Sequence, residues 1–377
     1  MSHNIRLLQI VPSLNSGGVE IGTIDIAKAI SDSGNFSAVA SNGGRLVSLL
    51  KKNGSKHFDL PVGSKNPFIM YKNCSKLKKL LINEKINIMH IRSRAPAWPG
   101  YFAGKGRVKL VSTFHNIYGH ENFIKKFYNK ALSKTDYIVA ISNYVREEII
   151  KNYQINPNKI KVINRGVDLD FYDGKPLDEK KLMNFLNQNY ISPNYKTILY
   201  PGRLTEWKGQ IQFLNIIEKL KDKPYIFYFV GDNKNSNYTK NLIQQIKIKN
   251  LDNNCKIMGH FDKENLKMMY YCSDLVISMP LKPEGFGRII SESIAMNKII
   301  IANNIGGAKN QLENLDDIYK IDTNESDKIV DKINFILETP LENFEKLKFQ
   351  SREYIVNNFS KKQMLENYFN LYMDIIN

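Results

Sequence analysis

Short apolar runs alternate with amphipathic stretches along the whole chain. "RLLQIVP" (6–12), "FSAVAS" (36–41), "INIMHI" (86–91), "VKLVSTF" (108–114) and "DYIVAI" (136–141) have strand length, and each is followed by a pattern of helical period. This alternation predicts parallel strands joined by crossover helices, because strands covered on both faces read as continuous apolar runs. After a polar helix over 177–189 the series restarts with "KTILYPG" (196–202), "PYIFYFVG" (224–231), "CKIMG" (255–259), "DLVISM" (274–279) and "KIIIAN" (298–303). One open sheet of ten or more strands would be unusual, so the expected fold is α/β with two doubly wound parallel sheets in tandem. Gly, Pro and Asp interrupt both periodicities in "NRGVDLDFYDGKP" (164–176), which predicts an N-terminal domain over 1–170 and a C-terminal domain over 171–377. The helical tail from 341 has no strand partner; it packs on the second domain or crosses back to the first. In such sheets ligands bind beyond the carboxyl ends of the strands, so a cleft between two facing domains is expected.

Length and composition fit this picture. At 377 residues, 42% hydrophobic and 24% charged, the chain exceeds one comfortable core. No stretch approaches the ~20 apolar residues that span a bilayer, and the start enters a strand pattern without a signal-peptide pattern, so a cytoplasmic location is expected. Cys74, Cys255 and Cys272 fit no metal-ligand spacing. The net charge of +17 is uneven: residues 1–170 hold 26 Lys+Arg against 11 Asp+Glu (+15), residues 171–377 hold 28 against 26 (+2). Base composition of the gene would act on both halves alike, so the first half is expected to meet an acidic partner.

The residues just after strands are the candidates for chemistry. In "SLNSGGVEIGTIDIAKAI" (13–30), Gly17 and Gly18 open a helix whose N-terminus favours phosphate; a tight turn alone is the competing explanation. The stretch is neither G-x-G-x-x-G nor a P-loop, which argues against a dinucleotide dehydrogenase and an ATPase. "PGRLTEWKGQ" (201–210) sets Arg203 and Lys208 across a loop-to-helix junction, either as a diphosphate cradle or as a solvated surface pair. "EGFGRIISE" (284–292) sets two carboxylates eight positions apart. On a continuous helix they would lie ~12 Å apart along the axis, too far to share a proton. With Pro280, Pro283 and the two glycines, the geometry expected is a loop entering a helix near Gly287 or Arg288, with Glu284 before it and Glu292 a turn inside. Carboxylates with no proton to move suit the gripping of paired hydroxyls, as on sugars and ribose.

His115 ends a strand in "STFHNIYGH" (112–120) and is either structural or catalytic. "RSRAPAWPG" (92–100) offers Arg92, Arg94 and Trp98 as an anion grip with an aromatic plate, or else as a solvated charge pair beside a packed Trp. "ENFIKKFYNKALSK" (121–134) reads as a basic amphipathic helix that either lies on an anionic membrane or buries its apolar stripe.

Together these stretches resemble the GT-B retaining glycosyltransferases of family 4. The match runs through "GGVE", "SRAPAW", "NRGVDLDFY", "PGRLTEWKGQ" and the E-x₇-E of "EGFGRIISESIAMNKIIIANNIGGAKNQL", and the last two motifs in that order are specific. The resemblance implies two Rossmann-like domains, with a nucleotide-sugar donor, UDP- or GDP-linked, on the second and the acceptor on the first. It implies that Arg203 and Lys208 hold the diphosphate, Glu284 the sugar hydroxyls and Glu292 the ribose, while the amides of Phe286, Gly287 and Arg288 approach the sugar. Gly18 would approach the phosphate and His115 would lie beside the sugar. It implies no metal or other cofactor, and retention by front-face return with a phosphate oxygen taking the acceptor's proton. The chain departs from the family with Asn303 and Asn304 where a Thr/Ser-Asp pair is usual, and with Ile21 where a basic residue is common.

The function expected is hexosyl transfer to an acidic lipid-linked, lipopolysaccharide-type or other cell-surface glycan acceptor, at the inner face of the cell membrane. The alternative is a nucleic-acid-binding protein using the basic half, with bases stacked on Trp98, Tyr101 and Phe102. It leaves the second domain's motifs unexplained, so no nucleic-acid partner is expected. A glycoside hydrolase needs two carboxyls ~5–10 Å apart across one bond, which the E-x₇-E spacing disfavours.

Overall fold

The computed structural model describes residues 4–15, 17–118, 123–232 and 236–377. The chain folds into two compact units, Met1–Arg165 with Lys362–Asn377, and Gly166–Lys361. Among the described residues the first unit holds seven strands: β1 (Arg6–Ile10), β2 (Phe36–Ser41), β3 (Lys56–Asp59), β4 (Ile88–Ile91), β5 (Lys109–Phe114), β6 (Tyr137–Ala140) and β7 (Ile160–Val162). They form one parallel sheet in the order β3-β2-β1-β4-β5-β6-β7. The second unit holds β8 (Lys196–Pro201), β9 (Tyr225–Val230), β10 (Cys255–Gly259), β11 (Leu275–Ser278), β12 (Ile300–Asn303) and β13 (Lys320–Ile321). Their parallel order is β10-β9-β8-β11-β12-β13. Both sheets are doubly wound, as the alternation of runs and helices predicts. In each, strand order reverses beside the first strand, so the loops after β1 and β4, and after β8 and β11, lie at the switch points where such sheets bind ligands.

Three strands escape the hydrophobic pattern: β3, β7 and β13, each at a sheet edge. An edge strand is covered less completely, and two to four residues show no period. "KHFD" of β3 carries three polar residues in four.

The tail crosses back. In the helix Lys361–Ile376, Met364, Tyr368, Leu371, Tyr372 and Ile375 recur at helical spacing and pack on Ile5 and on Leu7, Ile88, Val111 and Val139 of the first sheet. The expected second domain of 171–377 therefore differs from the observed unit at both ends. His90 of β4 is fully buried and ties this helix down, with Nδ1 2.6 Å from the Tyr372 hydroxyl and Nε2 2.7 Å from the Thr113 hydroxyl. Burial, then the charge of Arg92, holds its pKa well below the ordinary histidine range. Within the second unit the outgoing and returning segments pair as a parallel bridge, Val167 with Ser360. Val167 N–H donates to the Phe359 carbonyl and Lys361 N–H to that of Val167, both at 2.8 Å.

The basic segment 121–134 is not one helix. An α-helix covers Phe123–Asn129 and a 3-10 turn Lys130–Lys134, and residues 121–122 lie outside the described residues. Ala131 and Leu132 are buried, while Lys125, Lys126, Phe127 and Lys130 are exposed. Among the described residues no helix is long and apolar enough to cross a membrane.

Candidate active site

In the second unit, β8 ends at Pro201, and Gly202 at φ 143° turns the chain into the segment bearing Arg203. A 3-10 turn, Glu206–Lys208, then delivers Lys208, and Gly209 at φ 80° starts the helix Gln210–Lys219. No side chain fits at 209, because a Cβ there would stand 2.4 Å from the Met279 carbonyl oxygen. The Tyr200 hydroxyl donates to the Lys208 carbonyl. Lys208 is only 8% exposed although it is charged. Its ammonium is ion-paired and hydrogen-bonded to Glu284 Oε1 and lies 4.6 Å from the centre of the Trp207 ring. The Arg203 guanidinium is 5.8 Å from the same ring, so Trp207 sits by both cations.

Glu284 lies in the loop after β11, beside β8 in the sheet. That loop is built against glycines: Gly307 N–H donates to the Glu284 carbonyl at 2.8 Å, and a Cβ at 307 would meet the Gly285 carbonyl oxygen at 2.2 Å. The helix Arg288–Ala295 follows, with Gly287 as N-cap at φ 83° and no capping side chain, as the glycines and prolines of the motif predict. Gln311 Nε2 donates to the carbonyls of Phe286 (2.6 Å) and Gly287 (3.1 Å), which fixes the entry to the helix, and Phe286 is buried against Phe359. Glu292, 8% exposed, lies one turn in. Its Oε2 accepts from the Tyr270 hydroxyl at 3.1 Å and its Oε1 is 4.0 Å from Arg288 Nε. Burial first, then the Glu292 carboxylate, raises the phenols of Tyr270 and Tyr172 well above the ordinary range. Asn303 donates from Nδ2 to the Pro280 carbonyl at 2.8 Å, so this departure from the family pattern supports the loop that leads to Glu284.

In the first unit, Gly17 at φ 126° caps the helix Gly18–Asp32 without a side-chain bond to its amides. The Glu20 carboxylate bends back to within 2.7 Å of where a Cβ of Gly17 would stand. Arg165 Nη1 donates to the Gly18 carbonyl at 2.9 Å, and Nη2 lies 3.0 Å from His115 Nδ1. Burial and the charges of Arg165 and Arg92 hold His115 well below the ordinary histidine pKa. The ring is thus neutral, and with Nδ1 accepting from Arg165 its proton is on Nε2.

Arg92, Arg94 and Trp98 each have their own neighbours. Arg92 is 1% exposed, with its guanidinium 5.5 Å from the Tyr368 ring centre. Arg94 lies over Tyr118 at 4.3 Å and within 3.5 Å of Asn129 Oδ1. Trp98 stacks on Phe102 (5.5 Å) and Phe127 (5.0 Å). The cause is the strand: Arg92 directly follows the fully buried β4 and stays in the core, whereas Trp98 is in the next helix, Ala97–Gly104. The sequence does not single out Trp207, Tyr270, Gln311 or Arg165. Trp207, Arg165 and Gln311 stand inside the quoted motifs, which is the available signal; Tyr270 gives none.

Two Rossmann-like units with these switch-point loops define a GT-B glycosyltransferase. The family model for Glycosyltransferase Family 4 matches residues 16–171, and that for Glycosyl transferases group 1 matches residues 184–358. A glycosyltransferase from Rickettsia africae ESF-5 is 35% identical, with a TM-score of 0.90 over 99% of both chains. The chain belongs to the family 4 glycosyltransferases. The Anabaena protein Alr3699/HepE, solved in complex with UDP and glucose, shares the fold at 21% identity, with a TM-score of 0.82 over 98% of this chain and 100% of that one. A curated relative, the phosphatidylinositol N-acetylglucosaminyltransferase GPI3 subunit of Saccharomyces cerevisiae (strain YJM789), is 26% identical over 265 residues, 67% of this chain. The chain covers 56% of that relative's length.

Proposed function

We propose that this glycosyltransferase moves a hexosyl residue from a UDP- or GDP-linked nucleotide-sugar to an acidic glycan or glycolipid of the cell surface, with retention of anomeric configuration. The observation that carries the donor assignment is the mostly buried Lys208–Glu284 pair in the loops at the β8/β11 switch point, beside the helix that opens at Gly287. A cation, a carboxylate and free helix amides are the groups needed for a diphosphate carrying a sugar. Arg203 and Lys208 meet the charge of the departing diphosphate, Glu284 holds sugar hydroxyls, and Glu292 uses the oxygen not bonded to Tyr270 for the ribose. The amides of Phe286, Gly287 and Arg288 approach the sugar. In the first unit, His115 is assigned to the sugar, Gly18 to the phosphate, and Arg92, Arg94 and Trp98 to the acceptor. The anomeric C–O bond breaks with its electron pair passing to the phosphate, and the acceptor hydroxyl bonds the same face while a phosphate oxygen takes its proton. With two cations and a helix N-terminus compensating the diphosphate, we assign no metal to the step.

The complex of HepE with UDP and glucose supports the donor class, and the name of the yeast relative supports a lipid acceptor. Titration of UDP-, GDP- and ADP-sugars tests the reading. One of them is expected to raise the melting temperature saturably and to be turned over equally well in EDTA. If none does, or only oligonucleotides do, the assignment falls. Peripheral membrane contact is proposed for the face where Phe127, 56% exposed, stands among Lys125, Lys126 and Lys130. Replacing the three lysines with Ser is expected to weaken sedimentation with anionic vesicles; equal binding removes the segment from the membrane.

A further inference from the structure

Arg92 is the largest fully buried side chain among the described residues, yet its Nε and Nη1 have no hydrogen-bond partner there. No ion pair involves it among the described residues. A guanidinium is not deprotonated in a protein, so burial without a counter-charge is costly unless a ligand supplies one. A second guanidinium lies close by. A Cβ at Gly22 would stand 3.3 Å from Arg92 Nη2 and 2.8 Å from Arg165 Nη1, so both arginines converge on the one position of the helix Gly18–Asp32 left without a side chain at its second turn. Glycine is a poor residue for a helix interior, and here its missing Cβ is the space that the guanidinia use. The neutral His115 is bonded to Arg165 through Nδ1, and its buried Nε2 also has no partner. The acid of this helix's first turn, Glu20, lies at Gly17, one turn away.

We propose that Arg92 and Arg165 form an oxyanion site at Gly22, which takes a phosphate or carboxylate. That this anion belongs to the acceptor rests on the glycosyltransferase reading of the first unit; the anion site itself does not. Two guanidinia converging on one position, one of them with Nε and Nη1 unpartnered, are suited to a group with two or three equivalent oxygens and no proton to give. The acceptor would thus be selected by a negative charge held in the core of the first unit, apart from the general basicity of its surface.

The test is calorimetric titration of inorganic phosphate, and separately of acetate, into the full chain at low ionic strength. The variants are Arg92→Met, Arg92→Lys, Arg165→Met, Gly22→Ala and Lys208→Ala. Binding is expected to weaken at least ~10-fold in the two Met variants. It should recover in part in Arg92→Lys, while Lys208→Ala removes any phosphate bound at the diphosphate loop and should leave the Arg92-dependent part. Gly22→Ala is the decisive variant. Alanine suits a helix, but its methyl group must displace the guanidinia, so binding should weaken while the melting temperature reports what that displacement costs. Binding of phosphate alone points to a phosphorylated acceptor, and binding of acetate as well to an acidic sugar. Unchanged binding in Arg92→Met and Gly22→Ala, or loss confined to Lys208→Ala, overturns the proposal. The sugar-nucleotide titration is read separately, so a failure there withdraws the acceptor assignment and leaves the anion result standing.

Discussion

Glu284→Ala is expected to lower turnover of the nucleotide-sugar at least ~10²-fold, the scale for losing one preorganised contact to the transition state. The reason is positional. The Glu284 carboxylate is mostly buried, tied to the Lys208 ammonium, and carried on a loop whose backbone is pressed against Gly306 and Gly307. A Cβ at 306 would be 2.9 Å from the Glu284 carbonyl oxygen, and one at 307 would be 2.2 Å from that of Gly285. Such a loop has little freedom, so the carboxylate needs no reorganisation when sugar hydroxyls arrive. Glu284→Gln keeps an oxygen and a donor but loses the charge that holds Lys208, so its rate should fall between those of wild type and the alanine variant. Steady-state kinetics with the donor found by titration are the measurement. A loss in kcat with KM changed by less than a few-fold fits a transition-state role. A rate within three-fold of wild type removes Glu284 from the chemistry.

The local geometry of this region was legible in the sequence. Pro280, Pro283, Gly285 and Gly287 each restrict or free the backbone by themselves, so a helix opening at Gly287 with Glu292 a turn inside followed without tertiary information. The structure has the helix at Arg288–Ala295. What was not legible is who faces whom. Arg203 and Lys208 read as a pair of cations because they are five apart. Lys208 instead meets Glu284, 76 residues on, because β8 and β11 are neighbours in the sheet. The same holds for Arg165, which reaches Gly18 across 147 residues of chain. Arg92 reads as a surface residue by type, and only the burial of β4 shows that it is not. The tail was ambiguous because an amphipathic helix states that it has an apolar face but not which sheet covers it.

Lys208→Ala is the sharper probe, since it touches both stability and rate. In the free enzyme it leaves the Glu284 carboxylate mostly buried and unpaired. Removing one partner of a fully buried pair costs about 3–5 kcal/mol, and side chains still 10% and 16% exposed should lose less, on the order of 1–3 kcal/mol. Removing Glu284 as well relieves the unpaired charge. The double variant Lys208→Ala/Glu284→Ala is therefore expected to be no less stable than Lys208→Ala alone, with a coupling of at least ~1 kcal/mol in urea unfolding. Turnover should run the other way. Lys208→Ala alone lowers it at least ~10²-fold, because the leaving diphosphate loses a cation, and the second substitution cannot restore that charge. Because Glu284→Ala lowers turnover by itself, the double variant is read for stability and Lys208→Ala alone for rate, which separates the structural part of the ion pair from its action on the substrate. If Lys208→Ala alone keeps a rate within three-fold of wild type, Lys208 serves only to hold the loop, and the charge of the leaving group must be met by Arg203 and the helix at Gly287.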